Sequence, residues 1–304
     1  MSELKYVIAA DIGGTHCTAA LIDMQRRMMV PSSLSRTAID AGANAAAIIA
    51  AWSACMLWAR RESAVASVCL AMPGPFDYEK GISLMREQNK YEKLYGLNIK
   101  ELLAAGLQME PGSIFMDNDA ACFLQGEVFA GAAVEHSSDT VIGITLGTGL
   151  GTAVYRNGKT TSADLWCMPF RKGMAEDWIS SRWLMQRYQQ ATGQVISNVK
   201  DLALLAATNA AAQAIFVEFG GQLGEFLLAF IQRENPRAIV IGGNISKAHA
   251  LFGAVTRKII NERYPDIQIK WSVLGEEAPL LGAAASWLAT RQEQGLSSAS
   301  RTIV

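Results

Sequence analysis

The sequence predicts an α/β protein of two lobes around a cleft, made by duplicating one hairpin-led unit. Three observations carry this reading. At 304 residues the chain is longer than a single hydrophobic core comfortably supports. Two glycine-rich turns, Asp11-Ile-Gly-Gly-Thr15 and Gly147-Thr-Gly-Leu-Gly151, each join two short apolar runs. Around them, segments of strand and helix periodicity alternate.

The elements follow in order. Tyr6 to Ala10 is an apolar run of central-strand type, Gly13-Gly14 turns the chain, and His16 to Ile22 returns as a second strand, so the first turn closes a hairpin. A helix is predicted near Ala41 to Arg61, a strand near Ala66 to Ala71, a loop at Met72-Pro-Gly-Pro75 and a strand near Ser113 to Met116. The hairpin pattern then recurs, with Thr140 to Thr145 and Thr152 to Tyr155 flanking the second glycine turn and Asn157-Gly158 making the next. Helical spacing follows over Glu176 to Gln190 and Leu202 to Gln232, closed by Pro236. The rest reads as a strand at Arg237 to Ile241, a turn at Gly242-Gly243, a helix at Lys247 to Tyr264, a strand at Ile267 to Val273 and a helix at Pro279 to Gln292. Ser297 to Val304 reads as a loose tail. These boundaries put an N-terminal lobe at 1–119, completed by a C-terminal helix at about 280–304, and a second lobe at 120–279.

Composition narrows the function. Half of the residues are hydrophobic and 18% are charged, as in ordinary folded proteins. The formal charge is -1 with no dense Lys/Arg run, so a nucleic-acid partner is not expected. The apolar run from Gly42 to Arg60 is broken by Asn44, Trp52, Ser53 and Trp58, which favours a buried helix over a membrane span. No secretory pattern precedes the first strand. Five widely spaced cysteines, Cys17, Cys55, Cys69, Cys122 and Cys167, read as reduced core residues of a cytoplasmic protein and offer no paired zinc ligands. His16, His136 and His249 form no metal or triad pattern and read as local hydrogen-bonders. Trp178 and Trp183 read as packing residues.

Asp11, Gly13, Gly14 and Thr15 combine a carboxylate at a strand end with backbone N–H groups that no Cβ shields, the chemistry of a phosphate cradle. Asp11 can face a phosphate-bound magnesium through water. Gly147, Thr148 and Gly149 repeat the device, and Gly242-Gly243-Asn244 follows a buried strand where backbone could pass flat against an adenine ring. A Walker-type loop is missing, and Gly147 to Gly151 leads into a strand, which disfavours a dinucleotide fingerprint and hydride transfer. Asn118-Asp119 lies between a strand end and a helix start, where Asp119 could be a base or only the helix cap. Glu176 at a helix start admits a catalytic or a merely dipole-complementing role.

In this order, Ala10-Asp-Ile-Gly-Gly-Thr15, Met72-Pro-Gly-Pro-Phe-Asp77, Asn118-Asp119-Ala120, Gly147-Thr-Gly-Leu-Gly151 and Val240-Ile-Gly-Gly243 resemble the motifs of the ROK family of sugar kinases and sugar-responsive repressors. The resemblance spans nearly the whole chain. It implies the duplicated actin-like, hexokinase-like (ribonuclease H-like) ATPase fold, ATP with magnesium as co-substrate, domain closure on the sugar, and a homodimer. It also implies that Asp119 is the general base on a sugar hydroxyl, usually at C6, that Asn118 and Glu176 hold the ring, and that Asn89 and Gly74 line the same pocket. Two departures stand out. The family's Glu-x-Gly-His element reads Asp164-Leu-Trp-Cys167, and the cysteine-bearing zinc loop has no counterpart before Glu176, so zinc is not expected and substrate preference or affinity is expected to have shifted. Only Met1 to Lys5 precede the first strand, so the helix-turn-helix domain of the family's repressors is not expected either.

Overall fold

The computed structural model describes residues 5–86 and 90–301, with side chains to residue 293. The chain divides into two compact units, Met1–Gly131 with Glu276–Val304, and Ala132–Gly275. Along unit 1 run β1 (Tyr6–Ile12), β2 (His16–Asp23), β3 (Met28–Met29), β4 (Ser35–Ala38), α1 (Ala45–Arg60), β5 (Val68–Met72), β6 (Phe76–Asp77), β7 (Ile82–Ser83), α2 (Ile99–Leu107), β8 (Ile114–Asn118) and α3 (Asp119–Ala130). Unit 2 holds β9 (Val141–Leu146), β10 (Leu150–Arg156), β11 (Lys159–Ser162), α4 (Ala175–Trp178), α5 (Ser181–Thr192), α6 (Val199–Leu205), α7 (Ala210–Glu234), β12 (Ala238–Gly242), α8 (Gly253–Asn261) and β13 (Gln268–Trp271). The last helix, α9 (Ala278–Arg301), returns to unit 1.

The duplication is explicit in the sheets. Unit 1 orders its strands β3-β2-β1-β5-β8, with β1 antiparallel to β2 but parallel to β5, and β5 parallel to β8. Unit 2 orders β11-β10-β9-β12-β13 with the same senses. In both, a hairpin supplies the antiparallel edge and helical crossovers supply the parallel strands, as the short glycine turns and longer connections require. The central strands β1, β5 and β12 are apolar over nearly their whole length because each is covered on both faces.

Each sheet packs its own core. In unit 1, Ile8, Ile12, Trp52, Met56, Leu70 and Tyr91 are fully buried together. In unit 2, α7 drives Phe216, Phe219, Phe226 and Phe230 onto the sheet. By length and apolar content α7 could cross a membrane, but its phenylalanines are packed against Ile239, Ile241 and neighbours in the core. Cys17, Cys55, Cys69 and Cys122 are buried free thiols, and Cys167 is exposed. Trp183 is buried against Phe219, at 6.2 Å between ring centroids. His136 bonds Asp139 and His249 bonds the Ser246 carbonyl.

Several expected boundaries move. The unit division falls at Gly131 instead of 119, because α3 packs along α9 and so belongs to unit 1. The helix expected over Glu176–Gln190 is two, interrupted at Ile179-Ser180, where Ser180 takes the extended N-cap conformation. That expected over Leu202–Gln232 breaks before Asn209, whose side chain accepts the Ala212 N–H at 3.0 Å and starts α7 afresh. The stretch from Lys247 begins as a 3₁₀ turn kinked at Ala248 before α8. The tail expected from Ser297 is helical through Arg301.

Candidate active site

Parallel register brings three strand ends of unit 1 to one edge of its sheet. Asp11 is level with Ala71, Ala71 with Asp117, and Met72 with Asn118. The β1–β2 turn, the Met72-Pro-Gly-Pro75 loop and the start of α3 therefore converge, at the carboxyl edge where α/β sheets bind ligands.

The first turn is closed by the Gly13 N–H donating to the His16 carbonyl at 2.9 Å, which leaves Gly14 and Thr15 exposed at its tip. The Thr15 hydroxyl bonds His16 Nδ1 at 2.9 Å, and the Thr15 carbonyl accepts the Ile39 N–H. Asp11 has its carboxyl pushed up to about 7, mainly by burial, then by the negative charges of Asp119 and Glu276. A positive charge arriving at this edge would be drawn to it.

Asn118 is the N-cap of α3, its Oδ1 accepting the Ala120 and Ala121 N–H groups at 3.0 and 3.1 Å. Asp119 is the first helical residue, its Oδ1 accepting its neighbour's Ala120 N–H at 2.8 Å. Burial raises the Asp119 carboxyl, opposed by the Ala120 N–H and by Lys90. The result is a partly buried, more basic carboxylate at a helix start.

Tyr78 and Asp117 carry no sequence motif, yet both shape this edge. The Asn118 amide donates to the Tyr78 hydroxyl at 3.3 Å, and that hydroxyl donates to the Met72 carbonyl at 3.1 Å. A Cβ on Gly74, which precedes a cis proline peptide, would sit 3.2 Å from the same hydroxyl and 4.0 Å from Asn118 Nδ2. Tyr78 thus ties the Gly74 loop to the cap through one of the two Asn118 amide hydrogens, and the Asn118 side chain also hydrogen-bonds the Asp119 carboxylate. Asp117 accepts the Asn118 N–H at 2.8 Å, and burial lifts its carboxyl to about 6. Their signals lay in position alone, Tyr78 just past the Pro-Gly-Pro turn and Asp117 before the Asn-Asp pair. Asn89 lies outside the described residues.

Unit 2 repeats the loop chemistry at the ends of β9 and β12, which stand in register at Thr145 and Gly242. The Gly147 N–H donates to the Gly149 carbonyl at 3.1 Å, the Gly147 carbonyl accepts the Ser181 N–H at 2.8 Å, and Thr148 is exposed at the tip. Gly243 follows Gly242 with a φ of +84°, and a Cβ there would overlap the Leu146 backbone, so glycine is needed for the two loops to lie together. Glu176 reaches this loop: its Oε2 accepts the Leu150 N–H at 2.9 Å and would stand 2.6 Å from a Cβ on Gly149. Glu176 thereby braces the second glycine loop, a contact that its place at a helix start does not mark.

Asp164 stands apart. It is exposed, has a left-handed φ of 50°, and its carboxylate accepts the Ser162 hydroxyl at 2.8 Å. Trp166 is 42% exposed and Cys167 is exposed beside it. Among the described residues, no group of three or more His, Cys, Asp and Glu side chains is placed to hold a metal ion.

Known proteins share this fold. The chain is 25% identical to the glucokinase of Thermotoga maritima, over 94% of this chain and 98% of that one. Among solved structures, a ROK family glucokinase from Streptomyces griseus in complex with glucose and AMPPNP superposes with a TM-score of 0.73 at 24% identity, over 92% of this chain and 98% of that one. A ROK family transcriptional regulator, homologous to the E. coli MLC protein, superposes with a TM-score of 0.77 at 19% identity, over 93% of this chain and 78% of that one. Residues 7–290 match the ROK family, and the chain belongs to that family.

Proposed function

We propose that the protein is an ATP-dependent sugar kinase that phosphorylates a hydroxyl, that on C6, of a hexose or N-acyl hexosamine, with Asp119 as general base. The observation that carries this reading is the division of labour at the start of α3. Asn118 does the capping, so Asp119 keeps a burial-raised carboxylate beside the Asp11–Thr15 loop. Relatives named glucokinase, N-acetyl-D-glucosamine kinase and beta-glucoside kinase support the acceptor class.

Within unit 1, Gly14 and Thr15 offer N–H groups suited to phosphate oxygens; within unit 2, Thr148 and Gly149 offer the same chemistry, and Gly242 and Gly243 suit an adenosine. Asp119 takes the acceptor proton as its oxygen attacks, a contribution typically worth ~10²–10⁴ in rate. Asn118 offers its amide to the ring. Asp11 fits a magnesium ion brought in on the nucleotide, since its carboxyl is one that a nearby cation would hold ionised. That ion supplies charge neutralisation on the phosphates. The chain's own contribution is positioning and the proton.

The test is a panel of hexoses and N-acyl hexosamines with ATP, scored against Asp119→Ala. Turnover with at least one sugar, lost in the variant, is expected; no turnover with any, or equal turnover in both, sinks the reading. A second reading, a sugar-sensing protein without catalysis, is favoured by the exposed Asp164-Leu-Trp-Cys167 segment. Sugar binding by calorimetry with no ATP turnover would select it.

A further inference from the structure

A lysine that no motif marks lies against the first glycine loop. The residue after it is firmly anchored: Tyr91 is fully buried, its hydroxyl donates to the Gly13 carbonyl at 2.6 Å, and its N–H donates to the Ala41 carbonyl at 2.9 Å. Its ring meets Trp52 edge-on, 5.1 Å between centroids. Lys90 is thereby delivered to the loop, and its Cδ lies 3.9 Å from where a Cβ on Gly14 would be. It is partly buried and, among the described residues, has no carboxylate within ion-pair distance. The neighbouring Arg36, by contrast, is committed to Glu276 at 2.7 Å.

Charge makes the placement meaningful. Asp11, Asp117, Asp119 and Glu276 surround this edge with negative charge, and Asp11 registers both Asp119 and Glu276 in its raised carboxyl. A triphosphate approaching Gly14 meets that field. Among the described residues Lys90 forms no close ion pair, and its charge is felt by Asp119. A compact ammonium on a flexible stem suits a single phosphate group better than a planar fork would.

We propose that Lys90 grips the γ-phosphoryl group of ATP during transfer, as a further catalytic contact; this rests on the kinase reading above. In the step, the acceptor oxygen bonds the γ-phosphorus as the bond to the β–γ bridging oxygen breaks. The hydroxyl proton passes to Asp119, and the electron pair of the broken bond stays on the departing ADP. Lys90 keeps its proton throughout and supplies positive charge.

The experiment compares wild type with Lys90→Met, Lys90→Gln and Lys90→Arg in the full chain, folding being checked by circular dichroism. Steady-state kinetics give kcat and the sugar KM, and calorimetry gives the affinities for AMPPNP and ADP with magnesium. The neutral variants should lose about 10²–10³ in kcat, the usual cost of one charge-stabilising donor, with the sugar KM little changed. They should also lose about tenfold in AMPPNP affinity, one ionic contact's worth, while ADP binding stays the same, and arginine should restore part of both. Unchanged kcat in both neutral variants, a rise in sugar KM alone, or equal loss of AMPPNP and ADP overturns the inference. If wild type turns over no sugar, the kinase reading falls, and the AMPPNP-to-ADP comparison alone judges Lys90.

Discussion

Asn118 and Asp119 are adjacent, similar in size and both good helix caps, yet their side chains do different work. The cap fell to Asn118 because β8 ends in extended backbone there, which aims its Oδ1 at the Ala120 and Ala121 N–H groups. Asp119→Asn should therefore lower kcat by ~10²–10⁴ while leaving the melting temperature nearly unchanged, since the cap survives; a matching collapse of both would mean that Asp119 is structural. Gly149 makes the complementary point in unit 2. A Cβ there would press on Glu176 Oε2 at 2.6 Å, pushing away the acceptor of the Leu150 N–H. Gly149→Ala is expected to weaken AMPPNP affinity by about tenfold, measured by calorimetry, with only a modest loss of stability. Neither effect is visible in sequence, where Gly149 and Glu176 are simply two residues of different motifs.

At the scale of elements, the hairpins were legible because a glycine pair between two apolar runs is local chemistry. The helix breaks were less so, since a cap such as Asn209 competes with a continuing apolar pattern and wins only when its side chain finds the Ala212 N–H. The contact of α3 with α9 was not legible at all. Gly126 and Gly282 look like weak points in two helices, but a Cβ on Gly282 would overlap the Cys122 carbonyl and one on Gly126 would overlap the Ala278 carbonyl. Backbone on both sides cannot yield as a flexible side chain could. Gly282→Ala should destabilise by about 3 kcal/mol or more, a fall of roughly 6 °C or more in melting temperature; a shift under about 1 °C would show that the helices separate freely.

Across the whole molecule, buried carboxylates couple stability to pH. Asp117 titrates at about 6 in the folded chain against 3.8 for its ordinary value, because burial disfavours its charge. A raised folded value means that the native state holds more protons between those two points, so this group's stabilising contribution is lost as pH rises from about 4 to about 6. Asp117→Asn keeps an oxygen for the Asn118 N–H but cannot ionise. Its melting temperature relative to wild type should climb across that window and level off above it; a difference flat with pH would contradict the burial argument. Asp11, raised to about 7, acts in the same direction over a wider span.

By itself the sequence determined the paired glycine hairpins, the order of the motifs and, through them, the family and the duplicated α/β fold, because strands, turns and helix periods arise from neighbours in the chain. Only the tertiary structure decided which of Asn118 and Asp119 caps α3, that Glu176 braces the second loop, that Asp164 is exposed, and that the first unit runs on through α3 to Gly131. It also set Lys90 beside Gly14. The reason is physical. A side chain's partner and burial depend on what the fold brings alongside it, and for these residues that neighbour comes from a distant part of the chain or from the geometry of a strand end.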